Sequence, residues 1–222
     1  VNMDKAVVMF NIGEELIENG LNILGAHIDS PRMDIKQNPL YEEGGFAYLD
    51  THYYGGIKKY QWGTIPLALH GRVMFSDGKS VDLHFGEEEG DPVLVITDLL
   101  PHLAKQQSER KLAEGLKGEE LNVLLSSLPV EDSEVKDAFK LKVLSILHEK
   151  YGIVEKDFMR AELTLVPAQK AADVGLDSSM IGAYGQDDKV CAYTALMAEL
   201  DGKKPEYTSL TALVDKEEIG ST

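Results

Sequence analysis

The sequence predicts an α/β protein interrupted by a β-rich insertion. Three observations carry this expectation. Short apolar runs of strand length lie near both ends of the chain, at residues 6–12, 21–26 and 207–214. Two stretches, 133–151 and 188–200, have helical periodicity. The middle of the chain is rich in hairpin signals, so the flanks read as two pieces of one α/β layer.

Each element has its own local reason. Residues 13–20 form a polar turn between the first two strands, and residues 25–32 close the second one. Gly44 to Gly56 is rich in Gly and Tyr, which disfavours helix. Residues 65–75 and 80–85 read as strands joined by the turn Ser76-Asp77-Gly78-Lys79. Residues 99–116 alternate polar and apolar residues at helical spacing, so a helix is expected there. Ser133 is placed to cap a helix that Gly152 closes, with Val135, Phe139, Val143, Leu147 and Tyr151 along one stripe. Residues 161–166 predict a strand, 188–200 a helix, and 207–214 the last strand.

Composition narrows the function. The 222 residues are 43% hydrophobic and 27% charged, enough for a packed core. There are 38 acidic residues against 22 basic ones, a formal charge of −16. Such a field repels phosphate, so no nucleic-acid partner is expected. It offers no attraction to anionic membranes, and no run of 18 apolar residues exists to span one. The single cysteine, Cys191, excludes an internal disulfide framework and a Cys-rich zinc site, which fits the cytoplasm. The chain begins at Val1 and ends soon after a core-like strand, so a fragment of a longer protein is expected.

Three segments carry chemistry. In His27-Ile28-Asp29, residues i and i+2 share a strand face, and a carboxylate beside an imidazole suits a metal ligand. A buried structural His–Asp contact would use the same residues. Gly185-Gln186-Asp187-Asp188-Lys189 precedes an amphipathic helix. Capping and the macrodipole account for Asp188 but less well for two consecutive carboxylates. Asp215-Lys216-Glu217-Glu218-Ile219-Gly220 follows the last strand, where ligands of α/β sheets bind, although a solvated loop would look alike. Together, His, Asp and Glu at strand ends and a helix start are the donors of a zinc-type site, with a Glu available as general base.

Residues 25–32, Asn38-Pro39-Leu40-Tyr41-Glu42, the run from Thr51 to Trp62, residues 181–191 and residues 215–221 closely resemble the aspartyl aminopeptidase family. This is family eighteen of the metallopeptidases, and the resemblance is to its bacterial branch. It extends through essentially the whole chain. It implies an incomplete zinc-aminopeptidase catalytic domain at residues 1–32 and 167–222, with a central mixed sheet and flanking helices. A β-rich dimerisation domain would be inserted at residues 33–166.

The resemblance also implies roles. His27, Asp187 and Glu218 would be ligands of two divalent metal ions, zinc foremost, with cobalt or manganese as alternatives. Asp187 would bridge the ions and Asp29 would orient His27. Glu217 would be the general base that takes a proton from water bridging the metals. His102 would reach a neighbouring subunit's active site to stabilise the oxyanion, although an exposed histidine at a helix start would read the same. The implied reaction is hydrolysis of N-terminal residues from peptides, acidic ones preferred. Lys58, Lys59 and Arg32 are candidates for the cationic subsite such a preference needs. Dimers assembling into a dodecamer are the implied state. The family carries a further Asp and a late His beyond the Glu-Glu pair, and this chain has neither, so weak metal binding and poor catalysis by this chain alone are expected. An assembly module with an idle metal site is the alternative.

Overall fold

The structure is a computed structural model that describes residues 1–3, 5–131 and 135–220. Ser133, expected to cap a helix, and Ser221, near the end of the last motif, lie outside the described residues. In chain order the strands are β1 (Val7–Asn11), β2 (Asn22–His27), β3 (Arg32–Glu43), β4 (Phe46–Tyr54), β5 (Leu67–Met74) and β6 (Ser80–Phe85). After a short helix, α1 (Lys105–Ser108), come β7 (Val123–Ser126), helix α2 (Ala138–Tyr151) and β8 (Ala161–Pro167). The chain continues with β9 (Ala172–Val174), β10 (Met180–Gly182), helix α3 (Gln186–Asp201) and β11 (Ser209–Val214). No helix among the described residues is long and apolar enough to cross a membrane.

The chain divides into two compact units, one of Val1–Pro31 with Asp173–Thr222, the other of Arg32–Ala172. In the first unit a three-stranded mixed sheet has the order β1-β11-β2. β1 runs antiparallel to β11, and β11 runs parallel to β2. One sheet face packs on α3 through Met9, Ala26, Leu213, Ala192 and Ala195. The strand period of two sends Val8 and Phe10 to the opposite face, where both are exposed. Glu199, near the end of α3, accepts hydrogen bonds from the hydroxyls of Ser209 and Thr211 and so pins helix to strand.

The second unit is a six-stranded antiparallel sheet of order β6-β5-β8-β3-β4-β7. Its core holds Met33, Leu67, Ile96, Leu121, Val123 and Leu165, all fully buried. Helix α2 covers part of it with Val143, Leu144 and Leu147. The expected stripe holds from Phe139 to Tyr151, but Val135 precedes the helix. The cap of α2 comes from another element: Glu42 Oε2 in β3 accepts the N–H groups of Phe139 and Lys140 at 2.8 and 3.2 Å.

Residues 99–116 do not form the expected helix. They give the four-residue α1 and a 3₁₀ turn at Leu112–Glu114. Leu99, Leu100, Leu103 and Leu112 stay exposed, and Ala104 and Leu116 are buried, so most of the apolar spacing meets no packing surface.

One glycine is indispensable to the sheet. Gly71 in β5 has φ +143°, and a Cβ there would lie 1.9 Å from the carbonyl oxygen of Glu162 in β8. Gly71→Ala is expected to cost about 3 kcal/mol or more, read as a lower urea midpoint with an unchanged m-value.

Candidate metal centre

The site belongs entirely to the first unit. β2 and β11 are parallel neighbours whose last residues, His27 and Val214, are paired. Their carboxyl ends therefore release two loops side by side, one with Asp29 and the other with Glu217 and Glu218. α3 starts beside them. Gly185, at φ 76°, turns the chain so that Asp187 and Asp188 fall in the first helical turn. Residues from three distant stretches of sequence thus converge where an α/β sheet binds ligands.

His27, Asp187, Asp188 and Glu218 each offer a ligand atom, and these atoms all lie within 4.8 Å of one another. Asp188 is buried, and its Oδ1 has no hydrogen-bond partner. That oxygen lies 3.8 Å from His27 Nδ1. His27 Nδ1 is also 3.2 Å from the Asp29 carbonyl oxygen. The Asp29 carboxylate accepts the N–H groups of Glu217 and Glu218 at 3.2 and 3.1 Å. It thereby sets the backbone that aims both glutamates, in addition to lying 3.9 Å from His27 Nδ1. Lys216, just before the pair, is in the left-handed region at φ 80°, a strained conformation of the kind that collects at functional sites.

The charges of the cluster act on one another. Burial pulls the pKa of His27 down. The carbonyl of Asp29 and the negative charges of Glu217, Asp188 and Asp29 outweigh it, and the net shift is upward. Glu218 is pushed up by burial, by its hydrogen bond with Asp188 and by that residue's charge. Carboxyl groups that crowd in this way, with one oxygen buried and unpartnered, are a poor arrangement for a bare protein and a good one for a divalent cation. The donors also suit the ion, since imidazole and carboxylates are zinc ligands. The residues present therefore fit a bound metal.

Sequence reasoning singled out His27, Asp187 and Glu218, and the structure brings these three together. Capping accounts for Asp188 in the sequence, yet Asp188 is the buried member of the cluster. The available signal was the doubled carboxylate, since α3 begins at Gln186 rather than at Asp188 and its first turn holds both. Glu217 is exposed in the loop after β11, and Asp29 is buried beneath it. His102 is exposed in the second unit, ahead of α1. Arg32 and Lys59 are also in the second unit, Arg32 paired with Asp34 at 2.8 Å and Lys59 over the Tyr53 ring.

The fold and the cluster define a class: an α/β protein with a zinc-type ligand set at its strand ends. Comparison with protein families matches residues 1–222 to the family described as Aminopeptidase I zinc metalloprotease (M18). The chain is 53% identical over 220 residues to the probable M18 family aminopeptidase 1 of Clostridium acetobutylicum, covering 99% of this chain and 47% of that protein. The solved M18 aminopeptidase of Thermotoga maritima superposes with a TM-score of 0.93 at 49% identity, over 100% of this chain and 48% of that one. Aminopeptidase I of C. acetobutylicum gives a TM-score of 0.92 at 51% identity, again over 100% and 48%. The chain belongs to the M18 metallopeptidase family, and it spans about half the length of the relatives it matches.

Proposed function

We propose that this chain is the metal-holding part of an aminopeptidase that removes N-terminal residues from peptides, acidic ones first. The buried, unpartnered Asp188 oxygen beside His27 is the observation that carries the proposal. His27, Asp187, Asp188 and Glu218 would hold the metal, with two divalent ions in a protein that adds the further Asp and His of the family. Zinc is the proposed ion, cobalt or manganese the alternatives. When bound, such ions supply a polarised carbonyl and an acidified water.

This chain's own residues supply the rest. Glu217 takes a proton from the attacking water at a carboxylate oxygen and returns it to the leaving amine. Its exposed place after β11 leaves room for a substrate. Asp29 holds the Glu217 backbone, so the base and Glu218 keep a fixed relation. His102 is proposed to act from a neighbouring subunit in a homo-oligomer, a dodecamer by family resemblance, and the cytoplasm is the proposed location.

Elemental analysis after dialysis against zinc and then buffer tests the metal reading. The expected result is that His27→Gln lowers the bound zinc by about one ion per chain, the number that four ligands satisfy. No difference would mean that these four residues do not hold a metal by themselves. In a longer protein carrying the further ligands, hydrolysis of an N-terminal Asp amide, lost on chelation, tests the activity. Equal rates on Asp, Glu and Leu amides would remove the acidic preference.

A further inference from the structure

A second group of metal-binding donors lies in the other unit. β5 and β6 pair antiparallel, and their register sets His70 directly opposite His84. The Nδ1 atoms of the two rings face each other at 3.2 Å. The far nitrogen of His70, Nε2, lies 3.2 Å from Glu87 Oε1. We propose that His70 and His84, with Glu87 behind His70, form a binding site for a divalent transition-metal ion on the β5–β6 hairpin, separate from the candidate catalytic cluster.

A carboxylate only accepts, so Glu87 holds the proton of neutral His70 on Nε2 and leaves Nδ1 as a bare lone pair. A carboxylate behind an imidazole is the usual support of a histidine ligand. Two imidazole nitrogens at about 2.0–2.1 Å from a tetrahedral ion stand roughly 3.4 Å apart. The observed separation of 3.2 Å is close to this, and with the ring centroids 5.5 Å apart the two nitrogens meet point to point, so each ring tilts to turn its lone pair onto a shared ion. In the metal-free protein one proton bridges the two Nδ1 atoms. The ion takes its place, and the His84 proton moves to Nε2.

The surroundings hold Glu87 in position. The loop that carries it begins at Gly86, whose φ is +104° and whose Cβ position is closed by Ala68. Asp91 Oδ2 accepts the N–H groups of Gly86 and Glu88 at 3.0 and 3.3 Å, so both neighbours of Glu87 are tied down. The next cross-strand pair is Arg72 and Asp82, joined by two hydrogen bonds of 2.6 and 3.0 Å. The guanidinium charge nearest the site along β5 is thus offset by a carboxylate. Half the Glu87 side chain and 29% of the His70 side chain are exposed, so ions and water reach the site. Two imidazoles with open positions favour zinc, copper or nickel over magnesium or calcium.

The test is a Zn²⁺ titration of the chain followed by long-range ¹⁵N NMR of the imidazoles, which resolves each histidine. The expected result is joint movement of the His70 and His84 Nδ1 resonances, with no response to Mg²⁺. His84→Gln should abolish the His70 response. Glu87→Gln should weaken binding about 10–100-fold while leaving the fold unchanged. Zinc responses confined to His27, or a His70 response that survives His84→Gln, would overturn the proposal. An unchanged affinity in Glu87→Gln would remove Glu87 from it.

Discussion

Glu217→Gln, made in a protein that continues this chain with the further ligands of its relatives, is expected to keep its metal and lose about 10²–10⁴-fold in kcat. The reasoning is local. Glutamine has the size and hydrogen-bonding reach of glutamate but cannot take up a proton. The Glu217 N–H still meets Asp29 Oδ1, so the loop and Glu218 stay in place. The measurement is hydrolysis of an aminoacyl amide alongside metal content. Unaltered metal with collapsed kcat assigns the proton transfer to Glu217. A kcat like that of the unmodified enzyme would remove it from the role, and lost metal would make it a ligand instead.

Asp188→Asn should move stability and metal binding in opposite directions. In the metal-free chain Asp188 places a buried carboxylate with an unpartnered oxygen beside Glu218 and 3.8 Å from His27 Nδ1. Removing that charge should stabilise the metal-free chain by about 1–3 kcal/mol. The same change removes an anionic ligand. A quarter share of a four-ligand zinc site is about 3 kcal/mol, or roughly 100-fold in Kd. Urea unfolding with and without zinc separates the two effects. Zinc should raise the midpoint of the unmodified chain by clearly more than that of the variant. If the variant unfolds earlier in chelator and gains as much from zinc as the unmodified chain, Asp188 is an ordinary buried helix residue. This opposition between stability and binding is expected where a site holds like charges together for a ligand.

Much of this protein is written locally. The hairpin at residues 76–79 is legible because Gly78 takes a positive φ and Asp77 accepts the Lys79 N–H at 3.0 Å within the turn. β6 has the expected bounds, and β1, β2, β5, β8, α3 and β11 lie within two residues of theirs. Each is an apolar period bounded by its own turn residues. The three chemistry-bearing segments were legible for a similar reason, since each pairs carboxylates or a histidine with a strand end or helix start.

Other features depend on partners remote in sequence. Residues 99–116 have helical spacing, but Leu99, Leu100, Leu103 and Leu112 find no surface to pack against, and periodicity without burial does not hold a helix in water. The cap of α2 is Glu42, 97 residues from Phe139, and no local pattern shows it. Asp188 looks like a helix-start acid in the sequence. Only the parallel pairing of β2 with β11, 187 residues apart at Ser209 and Asn22, places His27 and Glu218 around it. His70 and His84 likewise meet only through strand register. The sequence by itself determined the kinds of residue and the ends of the elements, because these follow from side-chain chemistry and local torsions. Which donors share a site was decided by tertiary structure, because parallel pairing and cross-strand register are long-range contacts whose energy no single segment contains.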